Sequence, residues 1–208
     1  MTGIVITHGT DTLEETAYFL NLVVKSDKPV VMVGAMRPAT AISADGPMSL
    51  LDAVRVATDP KSKGSGVLVA LNDTINAARA NTKTNTASLQ TFSSPEVGAL
   101  GIITGGKVRY YRQVEREHTT KTPFDVSKLN ELPRVDIIYS HANDDGVMAD
   151  AAVAAGPRAL SALAPAWAPS TRTPILLLRR PSPRAWWSSA PTAPAAATSM
   201  PRSSGRTA

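Results

Sequence analysis

Three short apolar runs, rich in β-branched residues, recur along the first third of the chain. IVIT begins at Ile4, VVMV at Val30 and VLVAL at Val67. All three runs suit strands, and the run at Val30 suits a strand that is buried on both faces of a parallel sheet. Because helical segments separate them, the order predicts an α/β fold with a doubly wound, mostly parallel sheet.

The two segments between these runs have helical spacing. In the first, Asp11 and Glu14 suit an N-cap and its capping partner, and apolar residues then recur on one face at Leu13, Ala17, Leu20 and Val24. In the second, Pro47 suits a first helical turn. We expect Leu50, Leu51 and Val54 to form the core-facing side of this helix, and Asp59 to end it.

The pattern changes after Leu71. Residues 72–92 read as a long polar loop, which in a compact domain is usually functional or disordered, and Gly105-Gly106 indicates a hairpin. VDIIYSH and DDGVMADAAVAAG then predict the start of a second, smaller α/β domain. The predicted boundaries are an N-terminal domain at 1–124, a linker at 125–133, the second domain at 134–156 and a tail at 157–208.

The tail differs from the body in composition. It holds seven Arg, no acidic residue, nine of the sixteen Pro and all three Trp, whereas residues 1–156 carry 15 Lys and Arg against 17 Asp and Glu. We expect the tail to be disordered and to be a frame-shifted translation of GC-rich DNA. A native disordered linker and a basic functional module are the alternatives. Because the basicity is confined to the tail, we expect no nucleic-acid partner.

Several classes of function find no support in the residues. Apolar stretches fall short of the roughly 18 to 20 residues that span a bilayer, so we expect no membrane partner. The chain has no Cys and only three scattered His, so we predict no metal. We expect His8 to be a hydrogen-bonded structural residue and His118 to be exposed.

The segment HGTDT follows the first apolar run and carries the strongest functional signal. In open α/β sheets, ligands bind in the crevice outside the carboxyl ends of the strands. Thr10 and Asp11 lie at this position, just before the predicted helix. Both side chains are therefore expected to face a ligand crevice.

GIVITHGTDTL resembles a signature segment of the bacterial L-asparaginase and glutaminase-asparaginase family, in its type II form. The similarity extends, in order and spacing, through VVMVGAMRP, SADGPMSLLDAV, NDTINAARANTKTNTASLQTF and HTTKTPFDVSKLNELPRVDIIY. It covers residues 3–156. The resemblance implies hydrolysis of the side-chain amide of L-asparagine, and of L-glutamine as a further substrate, without a cofactor.

The resemblance also implies roles for three residues. Thr10, Asp11 and Lys83 match a catalytic Thr-Lys-Asp constellation beside the scissile amide, with Thr10 and Asp11 also binding substrate. A threonine hydroxyl is a weak nucleophile that needs a neighbouring base, which a lysine provides when desolvation lowers its pKa. The carboxylate suits a salt bridge to the α-ammonium group of an amino acid.

The family's TGGTIA motif, which supplies the covalent Thr nucleophile, is not among these residues. We therefore expect a fragment that lacks the N-terminal segment and has an aberrant C-terminus, and that is inactive alone. The resemblance implies a homotetramer and a periplasmic location for the complete protein, whose signal peptide is not expected in this sequence. The alternative is a non-catalytic fragment or an amino-acid-binding remnant.

Overall fold

The computed structural model describes residues 2–139, 141–143 and 145–163. The chain divides into two compact units, one ending at Lys128 and the other beginning at Leu129. This division falls inside the segment predicted as a linker.

The first unit contains two α-helices and eight strands. They are β1 (Ile4–Thr7), α1 (Leu13–Val23), β2 (Val30–Val33), α2 (Gly46–Thr58), β3 (Val67–Leu71), β4 (Thr74–Ala77), β5 (Thr82–Lys83), β6 (Phe92–Ser93), β7 (Gly101–Thr104) and β8 (Lys107–Tyr110). Short 3-10 turns follow α2 at Pro60–Ser62 and β8 at Thr119–Lys121. The three predicted strands and both predicted helices are confirmed.

Six strands form one sheet in the order β1-β2-β3-β4-β7-β8, and β5 and β6 pair separately. The β1, β2 and β3 strands are parallel, whereas β4, β7 and β8 are each antiparallel to their neighbours. The predicted α/β class is confirmed. HGTDT follows β1, in the parallel half of the sheet. The antiparallel half is built from two hairpins, β3–β4 and β7–β8.

Helices cover both faces of the parallel strands. On one face, α1 packs through Leu13 and Ala17 on a cluster that includes Val30, Met32, Val67 and Val69. On the other, α2 packs through Ala53, Val56 and Ala57 on a cluster that includes Val31, Val33, Leu68 and Ala70. Alternate residues of β2 and β3 thus enter opposite cores, which is why these two strands are apolar throughout. Strand β1 lies at the edge of the sheet, and none of its residues is fully buried.

The predicted core face of α2 is wrong. Leu50, Leu51 and Val54 are 43%, 46% and 45% exposed, and the buried positions are instead Ser49, Asp52, Ala53, Val56 and Ala57. Small residues let the helix lie close to the sheet, as the contact at Gly3 illustrates. A Cβ on Gly3 would stand 2.3 Å from the Ala57 carbonyl oxygen, so the end of α2 leaves no room for a side chain at position 3.

The region after β3 is more ordered than the predicted loop. Asn72 and Asp73 both have positive φ, at 52° and 58°, and this two-residue turn joins β3 to β4 in a hairpin. The predicted Gly105-Gly106 hairpin is confirmed between β7 and β8. The Asn-Asp turn allows the residues after it to form β4, a strand that the polar composition of the segment did not indicate.

His118 is buried, with 6% of its surface exposed, so its predicted exposure is wrong. The ammonium group of Lys25 donates hydrogen bonds to the carbonyl oxygens of Thr119 and Thr122, at 3.2 and 2.8 Å. These bonds join the segment after β8 to the end of α1. Burial lowers the pKa of His118, and the charge of Lys121 lowers it further.

The second unit contains β9 (Val135–Tyr139), α3 (Val147–Ala155) and β10 (Ala159–Leu163). The two strands are parallel and the helix connects them, as expected for a second α/β element. Ala159–Leu163 falls in the tail that we expected to be disordered, and it forms a strand instead. The remainder of the tail, residues 164–208, lies outside the described residues.

Candidate functional site

The HGTDT segment lies where β1 ends and α1 begins. Strand β1 ends at Thr7, Thr12 is the N-cap and α1 starts at Leu13. The end of β2 approaches this segment closely, since a Cβ on Gly34 would stand 2.9 Å from the His8 carbonyl oxygen and 3.0 Å from Thr10 Cγ2. Gly34 therefore leaves the space in which the Thr10 side chain sits, a role that the sequence alone did not reveal.

Lys83 contacts both Thr10 and Asp11. Its Nζ donates a hydrogen bond to Thr10 Oγ1 at 3.0 Å and forms an ion pair with Asp11 Oδ1 at 2.7 Å. The structure thus brings together all three residues selected from the sequence, across more than 70 positions. The Lys83 side chain is 15% exposed and the Asp11 side chain 95% exposed, so the ammonium group lies inward and the carboxylate faces solvent.

The Asp11 carboxylate is held in its charged form. The hydrogen bond from Lys83, and then the positive charge of Lys83, lower the pKa of Asp11 below its ordinary value. Its Oδ2 makes no hydrogen bond to any residue that the structure describes. One oxygen therefore pairs with Lys83 and the other is available to a cationic ligand.

Glu14 does not play its predicted part in capping. The N-cap is Thr12, with no side-chain cap bond, whereas the Glu14 carboxylate accepts a hydrogen bond from the backbone N–H of Lys83. Asp11, the predicted N-cap, pairs with Lys83 instead. Both carboxylates are thus drawn to a residue that lies far along the chain, so no local pattern could have indicated these contacts.

His8 is hydrogen-bonded at both ring nitrogens, as expected for a structural histidine. Nδ1 lies 2.7 Å from the Gly9 carbonyl oxygen, and Nε2 lies 3.0 Å from Thr16 Oγ1. A carbonyl oxygen only accepts, so Nδ1 carries a proton and donates it. The bond to Gly9 lies within the HGTDT segment, and the bond to Thr16 connects that segment to α1.

An open cleft of about 360 Å³ adjoins the segment, at the carboxyl ends of β1 and β2. Three of its eight lining residues are glycines, which have no side chain to keep a ligand away from the main chain. Asp45, just before α2, accepts hydrogen bonds from the backbone N–H groups of Met36 and Arg37, which fold the loop after β2 back beside this region. The cleft is lined by Thr7, His8, Gly9, Val33, Gly34, Ala35, Gly46 and Leu50.

This arrangement suits the chemistry of a small, zwitterionic amino acid. The Thr10 hydroxyl and the Lys83 ammonium group are within proton-transfer distance at 3.0 Å, and the adjacent carboxylate can receive the ammonium group of a ligand. The described residues contain no group of three or more His, Cys, Asp or Glu side chains placed to hold a metal ion. None of the helices in the described ranges has the length and apolar character needed to cross a membrane.

Comparison with known proteins shows which family and which proteins this chain resembles. The family model "Asparaginase, N-terminal" matches residues 1–116. The chain is 59% identical over 158 residues to L-asparaginase 2 of Bacillus subtilis, covering 76% of this chain and 42% of that protein. It is 61% identical over 141 residues to the probable periplasmic L-asparaginase of Haemophilus influenzae, covering 68% and 40%.

A solved structure gives the same result. The probable cytoplasmic L-asparaginase from Campylobacter jejuni superposes with a TM-score of 0.76 at 55% identity, covering 78% of this chain and 52% of that one. The chain spans about two fifths of the length of the curated relatives it matches. Sequence and fold agree over the segment that carries Thr10, Asp11 and Lys83, and the chain belongs to the asparaginase family.

Proposed function

We propose that this chain carries half of an amidohydrolase site, which in the complete protein hydrolyses L-asparagine to aspartate and ammonia. L-Glutamine is a further candidate substrate. The observation that carries the proposal is the contact of Lys83 Nζ with both Thr10 Oγ1 and Asp11 Oδ1. Membership of the asparaginase family supports the reaction class.

Each residue has a role that its surroundings support. Asp11 binds the α-ammonium group of the substrate through the carboxylate oxygen that Lys83 leaves open. Because its pKa is lowered, Asp11 is anionic at neutral pH, where an amino acid is zwitterionic. Lys83 and Thr10 act as the pair that activates the attacking oxygen: the Thr10 hydroxyl takes the proton of that oxygen and passes its own to Lys83 Nζ, once the Lys83 ammonium group has given up a proton. The reaction is acyl transfer, and no cofactor takes part.

We propose that this polypeptide alone turns over L-asparagine very slowly. The family resemblance assigns the covalent nucleophile to a Thr in TGGTIA, a motif that the 208 residues do not contain. Loss of one member of a catalytic group costs on the order of 10⁴-fold in model hydrolases. Ammonia release by the purified chain should therefore be weak, and turnover within tenfold of a complete family enzyme would contradict this proposal.

Binding tests the site without requiring turnover. L-Asparagine added to the isotope-labelled chain should shift the amide NMR signals of Thr10, Asp11 and Lys83 in a saturable manner. Asp11→Asn should abolish the saturation. Asp27→Asn is the matched control, because Asp27 is also an exposed carboxylate paired with a lysine. Equal binding by both variants would refute the role of Asp11.

The rival proposal is a fragment with no ligand. It predicts no saturable signal with L-asparagine or L-aspartate, in NMR or in calorimetry. An amino-acid-binding remnant would instead saturate with both and release no ammonia. These two outcomes and weak hydrolysis are mutually exclusive, so one series of titrations and one ammonia assay distinguish them.

Assembly and location follow from the resemblance and are proposals too. We propose that the complete protein is a homotetramer, which sedimentation of the complete protein would test. We also propose a periplasmic location, although the relatives named above include one described as periplasmic and one described as cytoplasmic. Fractionation of cells that produce the complete protein would decide between the two compartments.

A further inference from the structure

Helix α1 begins without a side-chain cap, although two suitable carboxylates lie beside its first turn. A side-chain cap stabilises a helix terminus by accepting hydrogen bonds from its free backbone N–H groups. Asp11 instead pairs with the Lys83 ammonium group, and Glu14 accepts the Lys83 backbone N–H. Both carboxylates thus contact Lys83 instead of capping the helix. Such departures are expected where a chain builds a functional site.

The hydrogen bond to Glu14 holds the backbone of Lys83, which strand β5 itself restrains only weakly. Strand β5 has only two residues, Thr82 and Lys83, and pairs only with the equally short β6. A lysine side chain has four rotatable bonds, so its ammonium group stays near one place only if its backbone does. A charged acceptor on α1 provides this restraint, because bonds to ionised acceptors are stronger than neutral ones.

Glu14 also connects both parts of the site through one rigid element. The helix that carries Glu14 begins two residues after Asp11, so Thr10, Asp11 and the acceptor for Lys83 share one local framework. The contact crosses 69 positions of sequence. Displacement of the Lys83 backbone would therefore move its Nζ relative to both Thr10 and Asp11.

We infer that Glu14 is a positioning residue, which holds Lys83 against Thr10 and Asp11 by accepting the Lys83 backbone N–H. This inference deepens the proposed function, since it rests on the same three-residue site. It assigns Glu14 no contact with the substrate. It also explains why Glu14, rather than its neighbour Glu15, is drawn away from the helix terminus.

The pKa of Asp11, measured by carbon-detected NMR in the full chain, reports whether Lys83 is in place. In the unchanged chain it should lie below the ordinary value of 3.8. Lys83→Met should return it to that value. Glu14→Ala should also raise it, whereas Glu14→Gln should leave it low, because the amide oxygen still accepts the N–H.

The direction of the Glu14→Ala shift separates positioning from simple electrostatics. Removal of a nearby negative charge by itself lowers the pKa of a carboxyl group, whereas displacement of Lys83 raises it. Glu15→Ala is the matched control. It removes the same charge from the same first turn, and Glu15 makes no hydrogen bond or ion pair with the described residues, so the pKa of Asp11 should stay low.

Hydrogen exchange at the Lys83 amide gives a second readout that does not depend on titration. The amide should be protected in the unchanged chain and in Glu14→Gln, and unprotected in Glu14→Ala. If Glu14→Ala fails to fold, Glu14→Asp replaces it, because the shorter side chain keeps the charge but withdraws the acceptor. That variant should also lose protection at Lys83.

The outcomes separate this inference from the proposed function. If Lys83→Met leaves the pKa of Asp11 low, the three-residue site is absent and both proposals fail. If Lys83→Met raises that pKa but Glu14→Ala leaves it low, with the Lys83 amide still protected, only the positioning role of Glu14 fails. Equal pKa increases in Glu14→Ala and Glu14→Gln would likewise overturn the role of the acceptor.

Discussion

Gly66 offers the sharpest test of the packing that buries His118. Gly66 has φ of +72°, and a Cβ there would stand 2.6 Å from Asn21 Oδ1 and 2.9 Å from the ring of His118. The same Asn21 oxygen accepts the backbone N–H of Val67 at 3.0 Å. Gly66→Ala should therefore strain the backbone, push two buried side chains apart and weaken that hydrogen bond.

The expected loss of unfolding free energy has two contributions. A left-handed conformation costs a residue with a Cβ about 1 kcal/mol, and overpacking of a dense interior costs about 2 kcal/mol more. Gly64 isolates the first term, because it has the same φ of +72° but no atom within 4 Å of its Cβ position. Gly66→Ala should thus lose about 3 kcal/mol of unfolding free energy and Gly64→Ala about 1 kcal/mol.

Urea unfolding followed by far-ultraviolet circular dichroism measures both variants. Tryptophan fluorescence is unsuitable, because Trp167, Trp186 and Trp187 all lie in the tail. With an unfolding slope of about 1.5 kcal/mol per molar urea, Gly66→Ala should lower the midpoint by about 2 M. Equal losses in the two variants would refute the close contact of Gly66 with His118 and Asn21.

Three further predictions address pH, the site and local stability. Because burial lowers the pKa of His118 below 6.5, its contribution to stability is present above pH 6.5 and is lost as the pH falls below it. Urea titrations at pH 7.5 and 5.5 should show this loss, and His118→Gln should reduce it. Gly34→Ala should weaken L-asparagine binding about tenfold, or about 1.4 kcal/mol, because its methyl group would displace Thr10; unchanged affinity by NMR titration would contradict this. Hydrogen exchange should be faster in β9, where Ile137 and Tyr139 are 60% and 73% exposed, than in fully buried β2; equal protection would contradict that difference.

The parallel half of the sheet could be predicted because its signals are local. Strands β2 and β3 are buried at every position, so each reads as a continuous apolar run wherever the chain places it. The buried face of α1 could be predicted in the same way, because Leu13 and Ala17, which are fully buried, follow helical spacing. Such features require no knowledge of distant residues.

The errors arise where a distant residue decides the outcome. His118 stands among charged neighbours in the sequence, but the residues after it bond to Lys25 near the end of α1, and His118 is buried. Leu50 is apolar, as core residues are, but α2 packs closely on the sheet, and the smaller Ala53 takes the buried position. In both cases the determining contact is formed only in the folded chain.

The candidate site shows the same division. Thr10 and Asp11 could be selected because they follow a strand and precede a helix, and Lys83 was selected only through family resemblance. The partner of Glu14 could not be found, since nothing near Glu14 in sequence indicates Lys83. Gly34 was missed for the same reason, because its close approach to Thr10 joins two strands.

The orientation of bound L-asparagine tests the central claim most directly. Nuclear Overhauser contacts between labelled chain and ligand should place the ligand α-proton beside the Asp11 side chain, and its side-chain methylene beside the Thr10 methyl group. That orientation brings the amide to the Thr10–Lys83 pair. A bound ligand with the reverse orientation, or with contacts only elsewhere on the chain, would contradict the assignment of Thr10, Asp11 and Lys83 to an amidohydrolase site.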